Sequence, residues 1–214
     1  MKRLALRTPP WPALALAALA SGAGANAQAR AGVEAETPWR PFSFVMGGLS
    51  TSSVLRADSI CPSAATVCPL GGGGGIYVAY GRRYRANREW AAGYDLSVRN
   101  ARNLFASATL QQARFDYRWV AWSPRSNLEG FLGVGAGLAF YGETFTVTTF
   151  GPLLNVSAGA HYNLSAFFSI GLLVRVEALR FLVPFDSGDG VTRSDGGIAS
   201  VLATSYLTAT WRGP

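Results

Sequence analysis

The chain has 214 residues, of which 49% are hydrophobic and 14% charged, with 25 glycines and a formal net charge of +7. This length suits one domain, and the composition is unusually apolar for a secreted soluble protein. Three of the 19 basic residues lie in an N-terminal segment with the properties of a removable leader. The positive charge therefore gives little support to a nucleic-acid-binding role.

The first 29 residues have the three parts of a secretory signal peptide. A basic start over 2–7 precedes an apolar run over 11–20, and Ala27-Gln28-Ala29 supplies small residues at the −3 and −1 positions of a cleavage site. A membrane anchor is the alternative, but the apolar run is about half of the roughly 20 residues that a spanning helix needs. The predicted organisation is a signal peptide over 1–29, an N-terminal segment over 30–40 and one exported domain over 41–214.

From about residue 42 to 211 the sequence alternates between apolar residues and small or polar ones. The pattern is clearest over 168–178, where every even position is apolar and Arg175 and Glu177 share the other face. A period of two indicates strands with one apolar and one polar face. Because no stretch after the leader approaches 18 uninterrupted apolar residues, the pattern excludes a helical membrane protein and predicts a transmembrane β-barrel.

Eight strands are predicted, most of them long enough for the 9–11 residues with which a tilted strand crosses a bilayer. They lie at 41–51, 74–84, 88–99, 106–122, 129–141, 152–162, 166–182 and 197–212. The connectors at 85–87, 123–128 and 163–165 are short, 100–105 is of intermediate length, and 52–73, 142–151 and 183–196 are longer. Short turns on one side and longer loops on the other predict an all-β, eight-stranded antiparallel up-and-down barrel with its turns and termini in the periplasm.

The fifth predicted strand indicates which face of the barrel points outwards. Its even positions from Leu132 to Phe140 are mostly large and apolar, whereas Gly133, Gly135 and Gly137 lie on the other face. A soluble barrel of the lipocalin or avidin type would bury the large residues and leave a row of glycines facing water. A membrane barrel places the large residues in lipid and the glycines in a narrow lumen, and the sequence favours this arrangement.

Charged residues on several strands share the face predicted to line the lumen. The members of this expected charge network are Glu89, Asp95, Arg114, Asp116, Arg118, Arg175 and Glu177. Buried charges must be paired or hydrogen-bonded, because an isolated buried ion is too costly to keep. Eight strands leave an interior that side chains can fill, so a salt-bridged plug is favoured, and a selective or gated ion path is the alternative.

Aromatic residues collect near the ends of the predicted strands, as expected for girdles at the two membrane interfaces. The main girdle, at the short-turn end, is predicted to contain Trp90, Trp119, Tyr162, Phe168 and Trp211, with Trp122 and Phe131 nearby. A thinner set near the opposite ends consists of Phe140, Tyr141, Phe150 and Phe181. The alternative is that aromatic residues, 12% of the chain, are simply common in strands, but their placement along the eight strands favours girdles.

The first long loop contains the two cysteines, Cys61 and Cys68, whose close spacing and exported context favour one disulfide. The stapled loop is either a recognition surface or a loop protected against unfolding and proteolysis. A zinc site is disfavoured, because no histidine or third cysteine lies nearby. The last long loop contains Asp186, Asp189 and Asp195. Their carboxylates are either a binding site for Ca²⁺ or cationic sugars, or part of a solvated glycine-rich loop.

The leader, the eight alternating strands, the glycine-rich stretch 130–138 and the aromatic-containing last strand 206–211 resemble the small eight-stranded outer-membrane barrels of Gram-negative bacteria, the OmpA-like and OmpX-like superfamily. The resemblance covers nearly the whole exported chain. It implies a location in the outer membrane, with membrane lipid, lipopolysaccharide and the barrel-assembly machinery as partners. The family's terminal aromatic corresponds to Trp211, after which Arg212-Gly213-Pro214 follow.

Catalysis is not expected. Barrels that modify lipid A need a histidine beside a serine and an acidic residue near the outer leaflet. The one histidine, His161, lies beside the short turn at Asn163, which is the periplasmic end. We therefore expect a non-enzymatic surface barrel with no cofactor, which contributes to envelope integrity or contacts an unknown ligand through its loops. A small pore is the alternative, and a soluble ligand-binding barrel or a lipid A-modifying enzyme is less favoured.

Overall fold

The computed structural model describes residues 39–57, 60–61, 68–102, 104–105, 107–121, 126–186, 189–193 and 199–213. The predicted signal peptide and all but the last two residues of the segment 30–40 lie outside these ranges. Within them, no helix has the length and apolar character required to span a membrane.

Eight long strands form a closed barrel, and two short strands pair with each other in the last loop. The strands are β1 (Phe42–Arg56), β2 (Gly73–Arg85), β3 (Arg88–Arg99), β4 (Ala108–Ala121), β5 (Leu128–Glu143), β6 (Thr149–Asn163), β7 (Phe168–Leu179), β8 (Phe185–Asp186), β9 (Thr192–Arg193) and β10 (Ser200–Arg212). Every neighbouring pair in the barrel is antiparallel, and β1 closes it by pairing with β10. The predicted all-β, eight-stranded antiparallel barrel is confirmed.

Several strands extend beyond the alternating pattern that predicted them. β1 continues five residues past its expected end and pairs with β10 as far as Arg56, through a bulge after Val54. β5 and β6 also lengthen, so that their connector shrinks to 144–148. Thr144 and Phe145 have left-handed backbones there, and the Thr146 amide donates to the Glu143 carbonyl at 2.7 Å. The hydrogen bonds between strands are made by the backbone and form equally with polar side chains. The strands therefore continue beyond the segments in which apolar residues alternate.

The two ends of the barrel differ. The turns over 86–87 and 164–167, the start of β1 and the end of β10 lie at one end, which we call the turn end. The connectors over 57–72, 100–107, 144–148 and 180–199 lie at the other, the loop end. The predicted separation of short turns from longer loops holds except at 144–148, which was expected to be longer but has fewer residues than the β4–β5 connector over 122–127.

The outside of the barrel is apolar and exposed. Leu132, Leu172 and Leu207, on three different strands, are 64%, 65% and 60% exposed. Their chain neighbours on the inner face, such as Phe131, Leu173 and Tyr206, are buried. A soluble monomer rarely exposes a contiguous apolar surface of this extent, whereas a barrel with lipid around it requires one. The alternation therefore places the large apolar side chains on the outer face of the barrel.

The glycine row of β5 lies on the inner face, beside charged side chains of β4 and polar side chains of β6. A Cβ atom added to Gly135 would collide with the Asp116 carboxylate and the Asn155 amide. At Gly133 an added Cβ would lie 2.7 Å from Ser157 Oγ and 3.0 Å from Arg118 Cγ. Because these β5 residues are glycines, they leave the space in which the polar lumen side chains pack.

The lumen as the candidate functional site

The centre of the lumen is an ion-pair cluster built on two arginines from strands that are not neighbours in the barrel. Arg114 on β4 pairs with Asp95 at 3.0 Å and also with Glu177. Arg175 on β7 pairs with Asp116 at 2.8 Å and lies 3.9 Å from Glu177. Each charge faces at least one opposite charge, as burial requires.

Neutral side chains add further hydrogen bonds to this central cluster. The Tyr206 hydroxyl accepts from Arg114 at 3.1 Å and from Arg175 at 3.0 Å. The Gln112 amide donates to Glu177 at 2.8 Å, and the Asn155 amide donates to Asp116 at 3.1 Å. These bonds connect β4, β6, β7 and β10 across the lumen, so the cluster fixes the barrel wall from the inside.

Arg118 continues the cluster towards the turn end. Its guanidinium lies 3.4 Å from the Asp116 carboxylate and 3.5 Å from the Glu89 carboxylate. It also lies over the Phe131 ring, 5.1 Å from the centroid. All seven predicted lumen charges are therefore buried and brought into one connected group.

A second group of charges, not among the seven, closes the turn end. Arg83 pairs with Glu89 at 3.1 Å and with Glu129 at 2.9 Å. Arg212 pairs with Glu129 at 3.3 Å and donates to the side-chain Oδ1 of Asn163 at 2.6 Å. On their strands, Arg83 and Glu129 occupy the alternate positions that face the lumen. This alternation could have identified both residues from the sequence.

The two groups form one chain of alternating charge that runs along the barrel. In order from the turn end, the residues are Arg212, Glu129, Arg83, Glu89, Arg118, Asp116, Arg175, Glu177, Arg114 and Asp95. Arginines and carboxylates are equal in number within this chain, so its charges balance. Nearer the loop end, Arg99 donates to Ser97 Oγ at 3.1 Å and to Ser52 Oγ.

The loop end is closed by apolar side chains, which the sequence did not predict. Strand residues and loop residues meet there in one buried cluster, the apolar plug: Ile60, Leu70, Ala101, Ala108, Leu110, Ala139, Tyr141, Leu153, Leu179, Phe181, Phe185 and Leu202. The Tyr141 hydroxyl donates to the Pro69 carbonyl at 2.5 Å and so fixes the first loop over the mouth. Tyr141 and Phe181 were expected in the thinner girdle, but both side chains are buried in the apolar plug. Tyr141 lies on the inner face of β5, and Phe181 lies just beyond the end of β7.

The disulfide between Cys61 and Cys68 is present, and the two Cα atoms are 5.2 Å apart. Both cysteines pack against the apolar plug. The bond therefore holds together the part of the first loop that supplies Ile60 and Leu70 to the plug. Residues 62–67 lie outside the described ranges.

The five residues of the predicted main girdle lie outside the lumen at the turn end. Trp119, Tyr162 and Trp211 are 46%, 48% and 62% exposed, whereas Trp90 and Phe168 are half-buried. Phe131 does not belong to this set, because its ring lies inside beneath Arg118. Trp122 lies outside the described residues.

The groups considered for chemistry are occupied by structural contacts. His161 is buried at the turn end, where its ring lies 5.0 Å from the Phe131 ring centroid. Asp189 accepts two hydrogen bonds from Arg193, at 2.5 and 2.8 Å, which raise the pKa of that guanidinium. The described residues contain no group of three or more His, Cys, Asp or Glu side chains able to hold a metal ion. Asp195 lies outside the described residues.

No protein-family model matches the sequence, and a search of curated proteins finds no match. A search of solved structures finds similar chains. Neisserial surface protein A is 12% identical, with a TM-score of 0.53 over 79% of this chain and 95% of that one. The attachment invasion locus protein Ail of Yersinia pestis is 14% identical, with a TM-score of 0.47 over 82% of this chain and 100% of that one. For the outer membrane protein OprG of Pseudomonas aeruginosa the identity is 10% and the TM-score 0.47, over 80% of this chain and 96% of that one.

At 12% identity, the likeness to Neisserial surface protein A is one of fold, and it agrees with the closed barrel described above. By fold, the chain is a small eight-stranded barrel of the outer-membrane type.

Proposed function

We propose that the protein is a non-enzymatic barrel of the Gram-negative outer membrane, with a plugged lumen, which contributes to envelope integrity or to surface contacts through its loops. The apolar outside supports the membrane location. The polar residues at the loop end, beyond the membrane, provide the surface for an external ligand. Lipid, lipopolysaccharide and, during biogenesis, the barrel-assembly machinery are the proposed partners.

The packing of the lumen is the observation that carries this proposal. From Arg212 at the turn end to Asp95 the interior is filled by paired side chains, and the apolar plug fills the mouth beyond them. At the turn end, the cavity between Phe44, Arg83 and His161 measures about 10 Å³. That volume holds about one water molecule, far less than a continuous path for hydrated ions needs.

A small pore is the second candidate, and the sharing of carboxylates favours it. Asp116 contacts both Arg118 and Arg175, and Glu177 contacts both Arg114 and Arg175. A carboxylate placed between two arginines keeps one partner while it leaves the other, and a series of such exchanges is one way to open a charged lumen. Opening would also require the apolar plug to move.

Bilayer conductance separates the two candidates. The barrel is purified in detergent, its closure is verified by the heat-dependent gel shift, and it is inserted into planar bilayers. The plugged lumen predicts no single-channel steps above the noise. Reproducible channels that are altered by Arg114→Gln or Arg175→Gln, and not by the exposed loop-end change Arg102→Gln, would establish the pore and contradict the plug.

A further inference from the structure

The strand ends on either side of the β2–β3 turn carry four arginines within seven residues: Arg82, Arg83, Arg85 and Arg88. Arg83 points into the lumen, where Glu89 and Glu129 neutralise it. Arg82 and Arg85 are exposed and Arg88 is half-buried. Among the described residues, no carboxylate pairs with any of these last three.

Two of the three face each other across the turn. Arg85 and Arg88 are direct partners in the β2–β3 ladder, separated by the two-residue turn over 86–87. Like charges that lie directly opposite each other destabilise a strand pair. Since no carboxylate among the described residues pairs with these two arginines, an anion from outside the chain is a natural means of offsetting this repulsion.

The aromatic residues paired with these arginines indicate their depth in the bilayer. Arg82 is opposite Trp90, which is opposite Tyr117, and Arg88 is opposite Trp119. The rings form close contacts on the outer face: the centroids of Trp90 and Phe115 are 5.8 Å apart, and those of Tyr117 and Trp119 are 4.9 Å apart. Tryptophan and tyrosine prefer the interface of a bilayer, where the phosphates of the headgroups also lie.

Among the described residues at the turn end, arginines are densest in the β2–β3 hairpin. The β6–β7 turn at the same end, over 164–167, has no charged residue, and its Leu164 and Phe167 are exposed. A general requirement for positive charge at this membrane surface would not leave that turn uncharged. The arrangement instead points to a local site.

We propose that the outer face of the β2–β3 turn binds an anionic phospholipid headgroup in the leaflet at the turn end. Arg82, Arg85 and Arg88 donate to its phosphate oxygens, for which the guanidinium fork is well shaped, and its acyl chains lie on the rings of Trp90 and Trp119. The proposal rests on the membrane location given under the proposed function.

Competition between lipids tests the site. The folded barrel is placed in nanodiscs with equal amounts of phosphatidylglycerol and phosphatidylcholine, and the lipids it retains are counted by native mass spectrometry. We expect phosphatidylglycerol to be retained preferentially, by about fivefold for each arginine that contacts the headgroup. The triple variant Arg82→Gln/Arg85→Gln/Arg88→Gln should lose the preference, whereas Arg102→Gln at the loop end should keep it.

Equal retention of the two lipids by the unaltered barrel, or a preference that survives the triple change, would overturn the lipid site. Insertion is measured separately, by the heat-dependent gel shift in vesicles of phosphatidylcholine alone. A barrel that inserts there without preferring anionic lipid contradicts only the lipid site. A barrel that fails to insert contradicts the membrane location and the lipid site together.

Discussion

Replacing Asp116 by asparagine should lower the free energy of unfolding of the barrel by about 3–5 kcal/mol, the usual cost of removing one partner from a buried ion pair. The two residues have nearly the same shape, so the change removes charge and leaves packing almost intact. Asp116 lies between Arg118 and Arg175 and accepts from Asn155. Its loss leaves two buried guanidinium groups without their shared counter-charge.

Reversible urea unfolding of the barrel in lipid measures this cost. The midpoint should fall while the dependence on urea concentration stays the same, because the surface exposed on unfolding does not change. The matched control is Asp186→Asn, the same chemical change at an exposed loop position, for which we expect less than about 0.5 kcal/mol. Equal effects of the two substitutions would mean that the lumen charges do not hold the barrel together.

Val134→Arg should also destabilise the barrel strongly, by about 2–4 kcal/mol in a bilayer, the cost of an arginine near the midplane on the lipid face of a barrel. Val134 lies on the outer face of β5, near the middle of the strand, opposite Val156 and Tyr117. In a barrel surrounded by water the same substitution would remove exposed apolar surface at little cost.

The control for Val134→Arg lies on the same strand and the same face. Leu128, at the turn end of β5, is exposed, and Leu128→Arg should cost at most about 1 kcal/mol because its guanidinium reaches the interface. The two variants are compared by urea unfolding in vesicles. A cost that does not depend on depth would contradict the transmembrane placement of β5.

Local periodicity was sufficient to predict much of the barrel. Arg118, Arg175 and Glu177 could be assigned to the lumen because position along a strand determines the face of the sheet. The same rule, applied to every residue, would also have placed Phe131 and Tyr141 inside. Their aromatic character suggested the interface instead, but parity determined their position.

The parts that the sequence did not predict depend on contacts between distant segments. The apolar plug brings Leu70 of the first loop to Tyr141 on β5 and Phe185 in the last loop. Pairing partners such as Arg83 with Glu129, or Arg212 with Glu129, depend on which strands lie across the lumen from each other. A single sequence shows that these residues face inwards, but the partners follow only from barrel closure.

Nitroxide accessibility along β6 tests most directly the claim that the apolar face lies in lipid and the other face in a packed lumen. Single labels at Leu154, Val156 and Ala158 on the outer face, and at Ser157 on the inner face, are compared in vesicles for collision with oxygen and with a water-soluble nickel chelate. We predict that oxygen, which concentrates in lipid, reaches the three outer labels while the chelate does not, and that both are hindered at Ser157. Outer labels that the chelate reaches freely would contradict the account.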